Sequence, residues 1–280
     1  MKQVCVITGG GSGIGLAAAK LLGKEFYIII AGRTLKKLES ALYELWDEGI
    51  SAEIYVCDIA NRESVNQLAA YAKQTGKVSA VINAAGMSPN MGEARTIMEA
   101  NALGTINVNE AFLEVMEEGS CLIDVSSMSG YMVPSLLLPN SKYKFSRMDK
   151  DLFMKKMMAR VNIFPRKFRS GISYGISKNF VIWYAKTDAV RFGEKGIRVL
   201  SISPGSFETP MGELEKDSTE EYTKLSAIKR PGKVEEIASL FQFCISGKAS
   251  YLTGIDILCD GGCVASGVNP LKRNRVNNVA

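Results

Sequence analysis

Histidine is absent from the 280 residues of this sequence. Its absence excludes a Ser-His-Asp triad, an imidazole general base and the usual zinc sites, so acid or base chemistry falls to Tyr, Lys, Asp, Glu or Cys. No stretch approaches the roughly 20 apolar residues that span a bilayer. The start, Met1-Lys2-Gln3-Val4-Cys5-Val6, lacks the charged and apolar regions of a secretory leader. The expectation is a cytoplasmic chain whose fold begins almost at residue 1. Paired loop cysteines are also missing: Cys5, Cys57, Cys121, Cys244, Cys259 and Cys263 sit mostly in apolar runs, which suits reduced core thiols. Cys259 and Cys263 have no companions for a ligand set, so no metal is expected.

What is present is a composition of 46% hydrophobic and 22% charged residues, enough for a large core. The net charge of +5 is unevenly placed: residues 135–170 carry ten of the 34 basic residues and two of the 29 acidic ones. The remainder of the chain is slightly acidic, so the basicity belongs to one segment.

Short apolar runs over 3–8, 27–31, 52–56, 80–83, 121–126, 198–203 and 255–258 read as buried strands. Helical periodicity fills 15–22, 35–47, 62–73 and 94–116. Alternating β and α units predict an α/β fold, a doubly wound parallel sheet of about seven strands in one domain over 1–267. Residues 268–280 read as a polar tail. The stretch 131–170 breaks the rhythm. Within it Met148, Leu152, Phe153, Met157 and Val161 fall on one helical stripe, with Lys150, Lys155, Lys156 and Arg160 largely elsewhere, which predicts an inserted basic amphipathic helix.

Directly after the first strand comes Thr8-Gly9-Gly10-Gly11-Ser12-Gly13-Ile14-Gly15, opening a helix whose N-terminal amides suit a pyrophosphate. At the end of the second strand, where a carboxylate would accept from the ribose hydroxyls of NAD, the sequence reads Ala31-Gly32-Arg33-Thr34. The acid is missing and Arg33 offers donors to a 2′-phosphate, so the cofactor expected is NADP(H). Further along, Tyr174-Gly175-Ile176-Ser177-Lys178 places a phenol and an ammonium on one helix face, one turn apart. A phenol with a pKa near 10 is a poor catalyst at neutral pH, and a neighbouring cation is expected to lower it.

With these motifs on one chain, in this order, the sequence resembles the short-chain dehydrogenase/reductase family over roughly residues 3–262. Thr8-Gly9 to Gly15 matches the family's cofactor loop, Asp58 its adenine-contacting acid, with Ile59 beside it also at the cofactor, and Asn83-Ala84-Ala85-Gly86 its fourth-strand signature. Pro204-Gly205 to Thr209 matches the nicotinamide loop. The resemblance implies that Tyr174 donates a proton to a carbonyl oxygen as hydride arrives, and that Lys178 assists it and binds the nicotinamide ribose. It implies that Ser127 hydrogen-bonds the substrate oxygen, Asn101 organises a water relay and Thr209 anchors the carboxamide. It also implies a homodimer or homotetramer packed through the helix bearing the Tyr/Lys pair.

The gap from Asn83 to Asn101 is short, at 18 residues, and that from Ser127 to Tyr174 is long, at 47. This pattern is similar to the bacterial hydroxysteroid dehydrogenase/carbonyl reductase branch. A substrate lid is therefore one expectation for the insertion, its Met and Phe residues covering an apolar ring system and a cation meeting an acidic tail, as in a bile acid. Packing of the stripe on the protein's own core is the other. Contact with an acidic membrane surface ranks below both, and nucleic acid is not expected. The function expected is hydride transfer between NADP(H) and a carbonyl/secondary alcohol pair in a small molecule. A 3-oxoacyl-thioester, sugar or polyol reductase and a non-catalytic NADP(H) sensor are the alternatives.

Overall fold

In the computed structural model, which describes residues 2–267, the β-branched apolar runs form strands and the periodic stretches form helices. β1 (Gln3–Thr8) leads into α1 (Gly13–Leu22), β2 (Tyr27–Gly32) into α2 (Leu35–Asp47) and β3 (Ala52–Val56) into α3 (Arg62–Thr75). β4 (Lys77–Asn83) precedes α4 (Ala94–Met98), a π-helical turn (Glu99–Leu103) and α5 (Gly104–Val115). After β5 (Cys121–Val125) come α6 (Ser129–Met132), α7 (Lys150–Val161) and the long α8 (Arg169–Gly193). β6 (Arg198–Pro204), α9 (Pro210–Leu214), α10 (Lys216–Leu225), α11 (Val234–Ile245) and β7 (Asp256–Cys259) complete the order. The proposed tail lies outside the described residues.

The strands pair in parallel in the order β3-β2-β1-β4-β5-β6-β7. This is the doubly wound α/β sheet that the alternation predicted. The order reverses between β1 and β4, and such a switch point opens a crevice at the carboxyl ends of the strands. Alternate residues face opposite layers. Ile7, Ile30, Ile82 and Ile123 pack with Leu22, Leu38 and Phe241 on one side, and Val6, Ile29, Val81 and Leu122 with Leu68, Val108 and Phe112 on the other. All six cysteines are free thiols. Among the described residues no helix is long and apolar enough to cross a membrane.

Two expectations need correction. The single helix over 94–116 is broken by the π turn, which turns Asn101 inward so that its amide holds the loop after β4. Asn101 Nδ2 donates to Met87 O at 3.0 Å and its Oδ1 accepts from Met87 N at 2.8 Å. The inserted helix begins later than its stripe suggested. The Asp149 carboxylate caps it by accepting from Leu152 N at 2.9 Å, so Met148 falls before the first turn and is 73% exposed. The buried stripe is instead Phe153, Met154, Met157 and Val161, which pack against Met98, Ile176, Phe180 and Tyr184.

Several of the insertion's cations hold it in place. Arg147 Nη1 meets the fully buried Asp188 at 2.5 Å, a carboxylate that also accepts from Arg191 and Asn109. Lys150 pairs with Glu110 at 2.7 Å. The insertion therefore docks on the outer side of α5 and α8, and any subunit contact on that side of α8 would run through the insertion itself.

Candidate active site

Most of the residues singled out in the sequence converge on one cleft at the carboxyl ends of the strands, with a volume of about 400 Å³. One end of it is the loop between β1 and α1. Gly9 adopts φ +70°, and a Cβ there would lie 2.8 Å from Ala85 N; a Cβ at Gly15 would lie 2.5 Å from Gly9 O. Side chains at these places would push the loop off the strands, so the glycines bring backbone amides and the start of α1 to the cleft floor. Ser12, Gly13 and Ile14 line it there, with Arg33 at the tip of β2 and Asp58 and Ile59 after β3. Asp58 Oδ1 accepts from Ala60 N at 3.0 Å and Asn107 Nδ2 donates to Ile59 O at 2.9 Å, which fixes that corner. Arg33 is exposed, and among the described residues no ion pair engages it. Glycine-lined backbone, a helix N-terminus and a free guanidinium beside it form a donor set that fits a dinucleotide bearing an extra phosphate.

The chemical end is lined by Ser127, Tyr174 and Lys178, with Ala84, Ala85, Gly86, Pro204, Gly205 and Thr209 around them. Lys178 is buried, and its Nζ donates to Val125 O at 2.9 Å while lying 5.9 Å from the Tyr174 ring centre. Burial pushes the ammonium down to about 8, and the buried Asp124 behind it works in the opposite direction. The expected depression of the phenol is not what the geometry produces. Burial raises Tyr174 above its ordinary value and the charge of Glu215 adds to this, while the Ser127 hydroxyl bonded to it opposes the rise. A site of this kind keeps the phenol protonated with an ammonium next to it that still carries its charge at neutral pH.

Thr8, Gly11, Thr34, Asn83 and Asn101 do not line the cleft. Thr8 Oγ1 donates to Asn83 Oδ1 at 2.8 Å and accepts from Ala85 N at 3.2 Å, tying the tips of β1 and β4 together. Asn83 Nδ2 donates to Asp124 Oδ1 at 2.9 Å, and Asn101 Nδ2 reaches Ser177 Oγ at 3.2 Å. Thr34 stands at the N-cap of α2. Thr8, Asn83 and Asn101 thus hold the cleft walls together. Thr209 does both: it lines the cleft and caps α9, its Oγ1 accepting from Gly212 N at 3.0 Å.

None of residues 131–170 lines the cleft, so the substrate-lid expectation for the insertion is corrected. The chain leaves the site at Ser129 and returns at Tyr174, but the buried apolar side chains Tyr143, Phe153, Met154, Met157 and Val161 between them are spent in packing on α4 and α8. The roof comes from the Pro204–Thr209 loop and from α9 and α10 beyond it, for which the sequence carries no motif. Phe207, Met211, Glu215, Ser218, Thr219 and Tyr222, on α9, α10 and the loop before them, face Met87, Ser88 and Met91 across the mouth.

A model of the short chain dehydrogenase family matches residues 3–159, and one described as enoyl-(acyl carrier protein) reductase matches residues 164–264. The chain is 29% identical over 277 residues to the 3-oxoacyl-[acyl-carrier-protein] reductase FabG of Thermotoga maritima, covering 94% of this chain and 98% of that one. It is 26% identical over 270 residues to the short-chain dehydrogenase/reductase bsc3 of Alternaria brassicicola, covering 95% and 97%. Among solved structures it is similar to a short chain dehydrogenase from Burkholderia cenocepacia in complex with NADP, with a TM-score of 0.75, 20% identity and coverage of 94% and 98%. With more than half of the chain matched by that family's model and the Gly9–Gly15 loop, Ser127, Tyr174 and Lys178 gathered in one cleft, the protein belongs to the short-chain dehydrogenase/reductase family of oxidoreductases.

Proposed function

We propose that this chain is an NADP(H)-dependent oxidoreductase that interconverts a carbonyl group and a secondary alcohol in an apolar substrate of hydroxysteroid-like character. The observation that carries it is the shared cleft, with Arg33 and the glycine loop at one end and Ser127, Tyr174 and Lys178 at the other. When bound, the nicotinamide supplies or accepts a hydride. Tyr174 gives its proton to the substrate oxygen as negative charge develops there, and Ser127 donates a hydrogen bond to the same oxygen. Lys178 stabilises the phenolate left behind and reaches the cofactor's ribose. Arg33 and the α1 amides hold phosphates, and Asn101 fixes the Met87 loop that forms the opposite wall. Burial holds Tyr174 above its ordinary value, which keeps the phenol in the protonated form that a proton donor needs.

The apolar side chains Met87, Met91, Met128, Phe207 and Met211 around the mouth favour a hydrophobic ketone over a sugar or polyol. A second reading, reduction of a 3-oxoacyl thioester, is favoured by the Thermotoga relative. NADPH oxidation measured against a panel of ketosteroids, 3-oxoacyl thioesters and small ketones, with Tyr174→Phe as control, tests both. NADPH binding without carbonyl-dependent oxidation by any panel member refutes the oxidoreductase reading and leaves the sensor alternative.

A further inference from the structure

The substrate mouth contains a carboxylate that the proposed chemistry does not use. Arg33, Asp58, Lys178 and Glu215 are the charged side chains lining the cleft. Arg33 and Asp58 belong to the phosphate and adenine end, and Lys178 stands behind Tyr174. Glu215 is therefore the charge in the substrate half, and it is negative.

Its surroundings fix it there. Glu215 Oε1 accepts from Ser88 Oγ at 2.8 Å and from Asn90 N at 3.0 Å, and Oε2 accepts from Asn90 Nδ2 at 3.0 Å. Asn90 Nδ2 also donates to Leu214 O at 2.9 Å. These bonds join the α9–α10 corner to the loop after β4 and close the roof over Tyr174. Every one of those donors is neutral, and among the described residues no Lys or Arg pairs with Glu215. The carboxylate is satisfied in hydrogen bonds and uncompensated in charge. Its field reaches the reacting centre, because it is one of the influences that raise Tyr174.

Resting on the reductase reading above, we infer that Glu215 determines substrate charge: the cleft takes uncharged carbonyl compounds and excludes those carrying a carboxylate. This reverses the bile-acid expectation, whose acidic tail needed a cation from the insertion. The insertion's cations lie elsewhere, and an anion stands at the mouth in their place. Two like charges about 6 Å apart at a partly screened site repel by an amount worth roughly 10- to 100-fold in binding.

The test uses matched pairs that differ only in charge, 3-oxocholanoate with its methyl ester and 4-acetylbenzoate with its methyl ester. Calorimetric titration of each into the full-length protein loaded with NADP+, which has no hydride to give a ketone, reads affinity without turnover, and NADPH oxidation gives kcat/KM for the same compounds. The expected result is a preference of 10-fold or more for the ester in both measurements. That ratio should collapse toward unity in Glu215→Gln and invert in Glu215→Lys. Equal binding of acid and ester by the native protein overturns the charge filter, as does a Glu215→Gln variant with an unchanged ratio. Failure of all four compounds to bind or react overturns instead the reading of this cleft as a carbonyl site, and the charge filter falls with it.

Discussion

Arg33 offers the sharpest test of cofactor choice. Its side chain is exposed, carries no ion pair among the described residues and lines the cleft at the tip of β2. Replacing it with alanine thus removes a guanidinium without leaving a buried charge unpaired. Hydrogen bonds to charged groups are worth about 1.5–3 kcal/mol, and solvent exposure places this one near the lower end. Arg33→Ala should weaken NADPH binding roughly 10- to 30-fold while changing NADH by less than about 2-fold. The neighbouring residue supplies the converse. A Cβ at Gly32 would meet only Leu38 Cδ2, at 3.5 Å, so an aspartate fits there without displacing backbone. Gly32→Asp combined with Arg33→Ala should reverse the preference toward NADH, because the carboxylate repels a 2′-phosphate and accepts from free ribose hydroxyls. Fluorescence titration with both cofactors, at about 50 and 500 mM salt, is the assay, and the NADPH advantage should narrow at high salt. Equal losses for NADPH and NADH in Arg33→Ala, or no loss for either, would refute the assignment of Arg33.

Three further outcomes follow from the same geometry. Tyr174→Phe should lower kcat by about 10²- to 10⁴-fold with NADPH affinity retained, and steady-state turnover near the native rate would exclude the phenol as proton donor. Phe153→Ala should destabilise the fold by about 3–5 kcal/mol in urea titrations, since its ring is fully buried against Phe180 at 4.7 Å between centroids; a loss below about 1 kcal/mol would show that α7 is not part of the core. Burial raises the Asp124 carboxyl from 3.8 to about 7, so its contribution to stability is full below about pH 4 and is lost as pH rises through 7, a swing on the order of 4 kcal/mol. Asp124→Asn should flatten that decline in urea midpoints between pH 4 and 7, and a variant that declines as steeply as the native chain would place the effect on another group.

The sheet was legible because buried parallel strands must be nearly continuous apolar runs, and the runs at residues 3–8 and 121–126 cannot be satisfied on a surface. The glycine loop and the Tyr174/Lys178 spacing were legible for a related reason: close backbone approach and one-turn pairing are local geometry, written in adjacent residues. Helix 94–116 failed because periodicity does not register one extra residue in a π turn, and what the turn achieves depends on Met87, 14 residues from Asn101 in sequence. Met148 shares the helical stripe by spacing but precedes the helix, because the Asp149 cap fixes where the first turn starts. The lone acid in the apolar run Cys121-Leu122-Ile123-Asp124-Val125 is itself a signal. A carboxylate within a buried strand needs partners, and Asn83 and Asn109 supply them.

Charge resisted reading more than shape did. The ten basic residues of 135–170 stand out by number, yet several of them serve the fold: Arg147 neutralises Asp188, and Lys150 meets Glu110. Glu215 stands in an ordinary polar stretch, Gly212-Glu213-Leu214-Glu215-Lys216, where nothing separates it from its exposed neighbour Glu213. What distinguishes it is contact with Ser88 and Asn90, over 120 positions away, and exposure to a cleft that exists only after β4, α9 and α10 have come together. A charge acts through distance and screening, and both are properties of the folded molecule. The reaction of such a protein is therefore carried by short local motifs, whereas the sign of charge its substrate bears is decided by long-range contacts of single residues.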